Sequence, residues 1–276
     1  MSEARAACII GWPAGHSRSP LIHNYWIKQH GIDGEYRKEP VRPEEFAAFL
    51  ASLGAHGYVG ANITIPHKEA ALRLTTPDAR ASAVGAANTI WRNGDALNST
   101  NTDVEGFLGN LDAAAPGWDR GLGDALVLGA GGSACAVVFG LIERGVARIH
   151  VANRSSARAE ALRERFGAAV QPVRWEERDA HLPAARLLVN STSLGMAGNQ
   201  PLEIDVARLP AGAVVADLVY VPLVTPLLAT ARARGLATAD GLGMLLHQAV
   251  RGFSLWFGIK PKVTLKLRAL VEADLK

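Results

Sequence analysis

The feature that most constrains this chain is a strand–turn–helix pattern from Ala125 to Ile142, with the sequence ALVLGAGGSACAVVFGLI. The apolar run LVL has no polar alternation, as expected of a strand buried on both faces. Gly129, Gly131 and Gly132 follow directly, and a segment with helical periodicity begins near Ser133. A parallel α/β sheet is the architecture in which this pattern is typical.

The glycine turn favours an anion at the start of the helix. Glycine lets the backbone turn sharply and puts no Cβ in the way of a ligand, and the first helical N–H groups attract negative charge. Ala134 stands at the third glycine position of G-x-G-x-x-G, which is an allowed variant. A plain tight connection remains the alternative. The stretch is uncharged, as a membrane span would be, but its clustered glycines argue against that interpretation.

The next predicted strand, RIHVAN, ends where a dinucleotide-binding domain contacts the adenosine ribose. Asn153 holds the position at which an acidic residue would favour NAD, and Arg154 and Arg158 follow it. Two guanidinium groups without a carboxylate suit a 2′-phosphate. The sequence therefore predicts NADP as the cofactor, with a solvated helix start as the alternative for these arginines.

Composition narrows the class of ligand. The chain has 276 residues, 49% hydrophobic and 20% charged, with a formal net charge of +3. Its arginines are dispersed, which favours an anionic small molecule and predicts no nucleic-acid or membrane partner. Cys8, Cys135 and the eight histidines show no metal-ligand spacing, so we expect no metal. The apolar part of the N-terminus is too short for a signal peptide, which predicts a cytoplasmic protein.

Strands and helices alternate along the chain, which predicts parallel sheets with right-handed crossovers and two domains sharing a cleft. The predicted strands include 6–11, 35–41, one through Ile63 and Ile65, 85–91 and the buried segments near 126, 150, 188 and 215. The predicted helices include one from Pro20 to His30, one over 43–53 and one from Met244 to Phe257. The turn at residues 92–95 predicts a hairpin.

Several polar residues stand where a structural role alone does not fully account for them. Ser17 and Ser19 precede a helix, where they can cap it or hold a carboxylate or polyol. Lys68 falls in the first turn of a helix, which the helix dipole disfavours, so it is either a solvated lysine or a functional one. Asn88 lies among apolar residues and needs partners. Asp103 is an N-cap or a functional carboxylate.

A series of short motifs makes the interpretation more specific. In chain order they are HSRSPLIHN, GANITIPHKE, GAANT, STNTD, GAGGSA, NRS, NSTSLGM, DLVYVP and GLGMLLHQA. Their order and spacing resemble the shikimate dehydrogenase family over nearly the whole chain.

The resemblance implies an α/β fold of two domains. Residues 1–104 and 241–276 would form an N-terminal α/β substrate domain, and residues 105–240 a Rossmann-type NADP-binding domain. The implied reaction is the NADP-dependent, reversible reduction of 3-dehydroshikimate to shikimate, a step of aromatic amino acid biosynthesis. A monomer or a homodimer is expected.

The resemblance also implies roles for residues at matching motif positions. The implied catalytic pair is Lys68 and Asp103. The implied substrate-binding residues are Ser17, Ser19, Thr64, Asn88, Tyr220 and Gln248. The implied cofactor-binding residues are Gly129, Ala130, Gly131, Gly132, Ser133, Ala134, Asn153, Arg154, Ser155, Arg158, Leu218 and Gly241. The chemistry agrees, because reducing a carbonyl leaves an alkoxide that needs a proton donor and a positive charge.

Two positions depart from the family pattern. Cys135 stands where relatives often have Arg, which implies a lost cofactor contact and a lower affinity for NADP. Ser155 replaces the usual Thr but keeps the hydroxyl. A quinate or aminoshikimate dehydrogenase stays open as an alternative, as does a non-catalytic NADP-binding redox regulator. The presence of both Lys68 and Asp103 argues against the regulator.

Overall fold

The computed structural model describes residues 5–121 and 123–275. The chain divides into two compact units: unit 1 comprises Met1–Thr102 and Leu246–Lys276, and unit 2 comprises Asp103–Leu245. The functional domain boundaries at 104/105 and 240/241 stay a prediction.

The elements alternate along most of the chain. The strands are β1 Arg5–Gly11, β2 Gly34–Pro40, β3 Tyr58–Ile63, β4 Thr76–Pro77, β5 Thr89–Asn93, β6 Ala96–Thr100, β7 Asp124–Leu128, β8 Ile149–Asn153, β9 Val170–Arg174, β10 Ala185–Asn190, β11 Val214–Asp217 and β12 Ala237–Ala239. The helices are α1 Ser19–Gln29, α2 Phe46–Ala51, α3 Lys68–Leu74, α4 Ala79–Val84, α5 Asp103–Ala114, α6 Gly132–Glu143, α7 Ser156–Phe166, α8 Pro226–Ala233, α9 Gly241–Phe257 and α10 Leu265–Asp274. Short 3₁₀ segments cover Gly167–Ala169, Trp175–Ala184 and Val206–Arg208.

Unit 1 contains a mixed six-stranded sheet in the order β2-β1-β3-β5-β6-β4. β1 pairs in parallel with β2 and β3, whereas β5 is antiparallel to both β3 and β6. The predicted turn at 92–95 is confirmed, because only Gly94 and Asp95 join β5 to β6. A two-residue connection forces antiparallel pairing, so this unit combines the predicted hairpin with the predicted parallel pairing of β1.

The second half of α9 completes the core of unit 1. Phe253 is fully buried, and the Trp256 indole Nε1 donates to the Ile90 carbonyl at 2.8 Å. A Cβ on Gly60 would lie 2.2 Å from that indole nitrogen, so the strand needs glycine there. The C-terminal segment is therefore anchored in the sheet of the N-terminal residues.

Unit 2 contains a fully parallel six-stranded sheet in the order β12-β11-β10-β7-β8-β9. Numbered within the unit, from β7 as the first strand, this is the order 3-2-1-4-5-6 reversed end to end, the strand order of the dinucleotide-binding fold. The predicted glycine turn therefore follows the first strand, at the point where the strand order changes direction.

Several predicted boundaries are wrong. β3 ends at Ile63, and Ile65 is 72% exposed rather than part of the strand. The strand predicted from residue 85 begins only at Thr89, and the helix predicted from residue 43 is confined to α2. β9 and α10 were not predicted, because VQPVR and LKLRALVEAD carry weak apolar periodicity.

Candidate active site

The two predicted serines lie in the turn that enters α1. The N-cap is Arg18, and its side chain makes no capping hydrogen bond. The Ser17 hydroxyl oxygen accepts the Ser19 backbone N–H at 3.2 Å. No hydrogen bond donated by the Ser17 hydroxyl is found within the described residues. Ser17 thus makes one contact with the helix start and keeps a proton that it can donate to an anion.

Thr64 follows β3 and is held by close packing against β1. A Cβ on Gly11 would lie 2.3 Å from Thr64 Cγ2, so only glycine fits beside this threonine. The Thr64 N–H donates to the Ile10 carbonyl at 2.9 Å, and the Thr64 carbonyl accepts the His67 N–H at 2.9 Å. A single turn therefore connects Thr64 to Lys68, the first residue of α3.

The residue before Lys68 is firmly anchored. His67 is 2% exposed, stacks on the Phe46 ring at 4.3 Å and places Nε2 2.8 Å from the Val41 carbonyl oxygen. The Lys68 carbonyl accepts the Ala87 N–H at 3.0 Å. The backbone of Lys68 is thus fixed from both sides, and its side chain is only partly exposed.

Asn88 is 4% exposed and has the partners that its burial requires. Its Oδ1 accepts the Thr102 N–H at 2.7 Å and lies 3.1 Å from the Thr102 hydroxyl. The Thr102 hydroxyl lies in turn 3.3 Å from Gln248 Oε1. The structure therefore joins two predicted substrate-binding residues, Asn88 and Gln248, through one threonine.

A buried polar chain extends this network, and the sequence analysis missed it. The Tyr36 hydroxyl donates to Asn62 Oδ1 at 2.7 Å, and Asn62 Nδ2 donates to Thr89 Oγ1 at 3.0 Å. Thr89 Oγ1 lies 3.2 Å from Asn88 Oδ1. Burial raises the pKa of the Tyr36 phenol well above its usual value, and its hydrogen bond with Ser19 opposes that rise. Polar residues inside otherwise apolar strands were the available signal.

Asp103 is the first residue of α5 and belongs to unit 2, together with Tyr220. The Asp103 side chain is partly buried. Lys68 and the other predicted substrate-binding residues belong to unit 1. The structure thus groups Ser17, Ser19, Thr64, Lys68, Asn88 and Gln248 in one unit.

The glycine turn of unit 2 has the form that the sequence predicts. Gly129 adopts φ +102°, and a Cβ there would lie 2.8 Å from the Ser191 hydroxyl oxygen, so this position requires glycine. Gly131 is the N-cap of α6. A Cβ on Gly131 or Gly132 would meet no atom within 4 Å. An open space therefore lies in front of the first turn of α6, where a helix leaves its backbone N–H groups without intrahelical partners. Ser133 and Ala134 follow in this turn.

The end of β8 carries the predicted 2′-phosphate residues. Asn153 is the last residue of the strand, and its Nδ2 donates to the Ser155 carbonyl at 2.9 Å. Ser155 is the N-cap of α7, with Arg158 in the first turn. Arg154 and Arg158 are exposed, and neither forms an ion pair with a carboxylate in the described part of the chain. Both guanidinium groups can therefore donate hydrogen bonds to an anionic ligand.

Leu218 and Gly241, both predicted to contact the cofactor, are in contact with each other. A Cβ on Gly241 would lie 2.2 Å from the Leu218 carbonyl oxygen. Gly241 is also the first residue of α9, which begins earlier than the predicted Met244. Tyr220 follows in the same loop after β11 and is partly buried.

A buried carboxylate organises that loop. Asp217 is 1% exposed and accepts hydrogen bonds from the Thr225 hydroxyl at 2.6 Å, Asn190 Nδ2 at 2.9 Å and the Val219 N–H at 3.1 Å. Burial raises the pKa of the Asp217 carboxyl, and these hydrogen bonds oppose the rise. The ends of β10 and β11 are therefore held together beside the predicted nicotinamide contacts.

Among residues 5–121 and 123–275, no cluster of three or more His, Cys, Asp or Glu side chains could hold a metal ion. Within the same residues, no helix is both long enough and apolar enough to cross a membrane.

Comparison with protein families gives matches along most of the chain. Residues 9–90 match the shikimate dehydrogenase substrate binding domain, residues 122–197 match shikimate / quinate 5-dehydrogenase, and residues 241–270 match the shikimate 5′-dehydrogenase C-terminal domain. The three matches together span both units.

Curated relatives and solved structures give the same result. Proteins named shikimate dehydrogenase (NADP(+)) from Rhodopseudomonas palustris (strain BisB18) and Nitrobacter hamburgensis are 67% and 68% identical, cover 100% of this chain and are themselves covered to 99% and 96%. The Thermus thermophilus shikimate 5-dehydrogenase in complex with NADP(H) and shikimate has a TM-score of 0.84 at 35% identity, with 98% of each chain covered. A quinate dehydrogenase from Corynebacterium glutamicum in complex with NAD has a TM-score of 0.90 at 30% identity, covering 98% of this chain and 99% of its own.

Proposed function

The chain belongs to the shikimate dehydrogenase family, and we propose from this membership how its residues carry out the family's reaction. It is an NADP-dependent oxidoreductase that reversibly reduces 3-dehydroshikimate to shikimate. The observation that carries this function is the identity of about two thirds, over the full chain, to relatives of that name. The prediction of family, fold class, reaction and cofactor is confirmed.

The substrate carries a ring carboxylate and hydroxyl groups, and we assign both to unit 1. The Ser17 hydroxyl, whose oxygen already accepts a backbone N–H, donates its proton to the carboxylate. Thr64, Asn88 and Gln248 bind the hydroxyls. Because the Asn88 Oδ1 is engaged by Thr102, its amide group is fixed in one orientation. Such fixed donors discriminate between polyols.

Lys68 and Asp103 are assigned as the catalytic pair. Reduction of the ketone places negative charge on its oxygen, and the Lys68 ammonium stabilises that charge and donates a proton to it. In the direction of oxidation, neutral Lys68 takes the hydroxyl proton. Asp103 accepts a hydrogen bond from the reacting hydroxyl. The rigid backbone at His67 and Lys68 supports this role, since a proton donor must be held in place.

The residues of unit 2 fit NADP. The space in front of Gly131 and Gly132 and the N-terminus of α6 suit a diphosphate. Gly129, Ala130, Ser133 and Ala134 complete that turn, while Asn153, Arg154, Ser155 and Arg158 would hold the 2′-phosphate. Leu218 and Gly241 would contact the nicotinamide, which supplies or accepts the hydride when bound. Cys135 would offer no charge to the diphosphate.

A quinate dehydrogenase is the second candidate, because a solved quinate dehydrogenase with NAD has a high TM-score to this chain. The ribose-binding end of β8 disfavours it, since Asn153 and Arg154 stand where NAD needs a carboxylate. An aminoshikimate dehydrogenase would share most of the motifs.

We further propose a cytoplasmic enzyme, active as a monomer or a homodimer, with no nucleic-acid or membrane partner. Its substrate domain comprises residues 1–104 and 241–276, and its NADP domain comprises residues 105–240. The two cysteines of the sequence give no disulfide framework, which suits a reducing compartment.

Initial rates of the purified chain test the function. Shikimate and quinate are each combined with NADP⁺ and NAD⁺, and reduced nicotinamide is followed by absorbance. We expect shikimate with NADP⁺ to give the highest kcat/KM. A preference for quinate or NAD⁺ would identify a paralogue. Binding of NADP⁺ without turnover of either substrate would favour a redox regulator.

A further inference from the structure

Arg18 lies between Ser17, which is assigned to the substrate carboxylate, and Ser19, yet its charge is directed towards the C-terminal helix. Its Nη1 donates to the His16 carbonyl at 2.7 Å. Its Nε lies 2.7 Å from Asp274 Oδ2, and its Nη2 donates to the Asp274 carbonyl at 3.1 Å. One guanidinium therefore ties the serine turn, residues 16–19, to the last residue of α10.

The helix α10 is a fixed partner for this contact. Its Thr264 N-cap accepts the Leu267 N–H at 3.2 Å, and Leu267 and Val271 are fully buried. The helix packs against α1, which begins at the serine turn. Asp274 is thus held by the hydrophobic core of unit 1, and through Arg18 it restrains residues 16–19.

We propose that Asp274 is a positioning residue for the substrate carboxylate, acting through Arg18. The contact with Arg18 keeps the His16 carbonyl and the following turn in the conformation in which Ser17 accepts the Ser19 N–H and directs its own proton outward. This inference rests on the proposed function, because it concerns the shikimate carboxylate. It gives the C-terminal helix a role in substrate binding.

The arrangement also keeps the Arg18 charge away from the substrate. The Arg18 guanidinium donates two hydrogen bonds to carbonyl oxygens and lies beside the Asp274 carboxylate, so its charge is directed at Asp274. The carboxylate is then bound by hydroxyls and helical N–H groups, which favour one geometry, rather than by a mobile cation. If Arg18 instead contacted the substrate directly, loss of Asp274 would free it and tighten binding.

Asp274→Ala tests the proposal by its effect on separate kinetic constants. We expect KM for shikimate to rise about threefold to fivefold, the upper part of the range of a partly exposed ion pair. We expect kcat and KM for NADP⁺ to stay within about twofold of wild type, since neither depends on residues 16–19. Asp274→Glu should recover most of the lost affinity because it restores the carboxylate.

A second ion pair on the same helix provides a matched control. Arg268 Nε lies 2.7 Å from Glu272 Oε1, and both residues lie outside the serine turn. Glu272→Ala should change thermal stability to a similar extent and leave KM for shikimate unchanged. In the double variant Arg18→Ala/Asp274→Ala, the KM effects should be less than additive, because both substitutions break one contact.

The outcomes separate this inference from the function on which it rests. A wild-type chain that does not turn over shikimate overturns both. Wild-type turnover with an unchanged or lowered KM in Asp274→Ala overturns the positioning role alone. An equal rise of KM in Glu272→Ala would show that any weakening of α10 is sufficient, and would also overturn it.

Discussion

His23 is enclosed by aromatic rings in unit 1. Its ring stacks on Tyr36 at 4.3 Å, lies 5.3 Å from the Trp256 ring and has no exposed surface. Burial lowers the pKa of His23 from 6.5 to about 3. Neither ring nitrogen has a hydrogen-bond partner among the described residues. The imidazole is therefore neutral in the folded chain over most of the pH range.

This histidine makes stability depend on pH. The pKa of His23 is lower in the folded than in the unfolded state. Its contribution to the free energy of unfolding is therefore full above pH 6.5 and is lost as the pH falls towards 3. At pH 5 the loss is about 2 kcal/mol. Urea unfolding at pH 7.5 and pH 5 should show a smaller pH effect in His23→Phe than in wild type. His30→Gln, at an exposed site, is the control and should show the wild-type difference in the free energy of unfolding between the two pH values. The same difference in all three proteins would contradict the role of His23.

Arg154 and Arg158 are the residues predicted to select NADP over NAD, because their guanidinium groups suit a 2′-phosphate. Arg154→Ala should raise KM for NADP⁺ about tenfold to a hundredfold, the range of a lost charge-assisted hydrogen bond, and leave KM for NAD⁺ unchanged. Arg208→Ala removes an exposed arginine elsewhere in unit 2 and is the control. A parallel loss with both cofactors would show that Arg154 stabilises the fold rather than the 2′-phosphate.

Among the elements, those with strong local signals were predictable. The strand–glycine–helix unit at β7 and α6 and the hairpin of β5 and β6 follow from backbone requirements of glycine and from turn length. The end of β3 was not predictable, because Ile65 continues the apolar alternation yet lies beyond the strand. β9 and α10 bury few residues each, so their formation depends on tertiary packing that local periodicity does not report.

Two glycines of the same turn should respond differently to substitution. Gly129→Ala places a Cβ at positive φ against Ser191, so the free energy of unfolding should fall by about 2 kcal/mol or more. Gly131 has an extended backbone conformation, and a side chain at this position would enter open space. The fold of Gly131→Val should therefore persist, while the valine side chain occupies the proposed diphosphate space.

Calorimetric Kd values for NADP⁺ and thermal unfolding together check this pair. We expect weaker NADP⁺ binding in Gly131→Val at a nearly unchanged free energy of unfolding. If Gly131→Val binds NADP⁺ like wild type, the diphosphate does not lie in front of α6.

Across the whole molecule, the sequence predicts candidate site residues but not the contacts that hold them in place. Ser17, Thr64, Lys68 and Asn88 were predicted as site residues from motif order. The chain from Tyr36 through Asn62 and Thr89 was not, because its members are distant in sequence and meet only when β2, β3 and β5 join one sheet. Long-range pairing of this kind leaves no local pattern.

Lys68 is the residue on which turnover depends most, because binding of substrate and NADP alone does not supply the proton that the reaction needs. The most direct test compares steady-state turnover of shikimate and NADP⁺ by wild type, Lys68→Ala and, as a control, the exposed Lys28→Ala. We predict that Lys68→Ala lowers kcat about 10²- to 10⁴-fold, the usual contribution of general acid–base catalysis, with KM for shikimate within about threefold. Lys28→Ala should behave as wild type. A Lys68→Ala variant that retains wild-type kcat, or that loses affinity and turnover equally, would contradict the assignment.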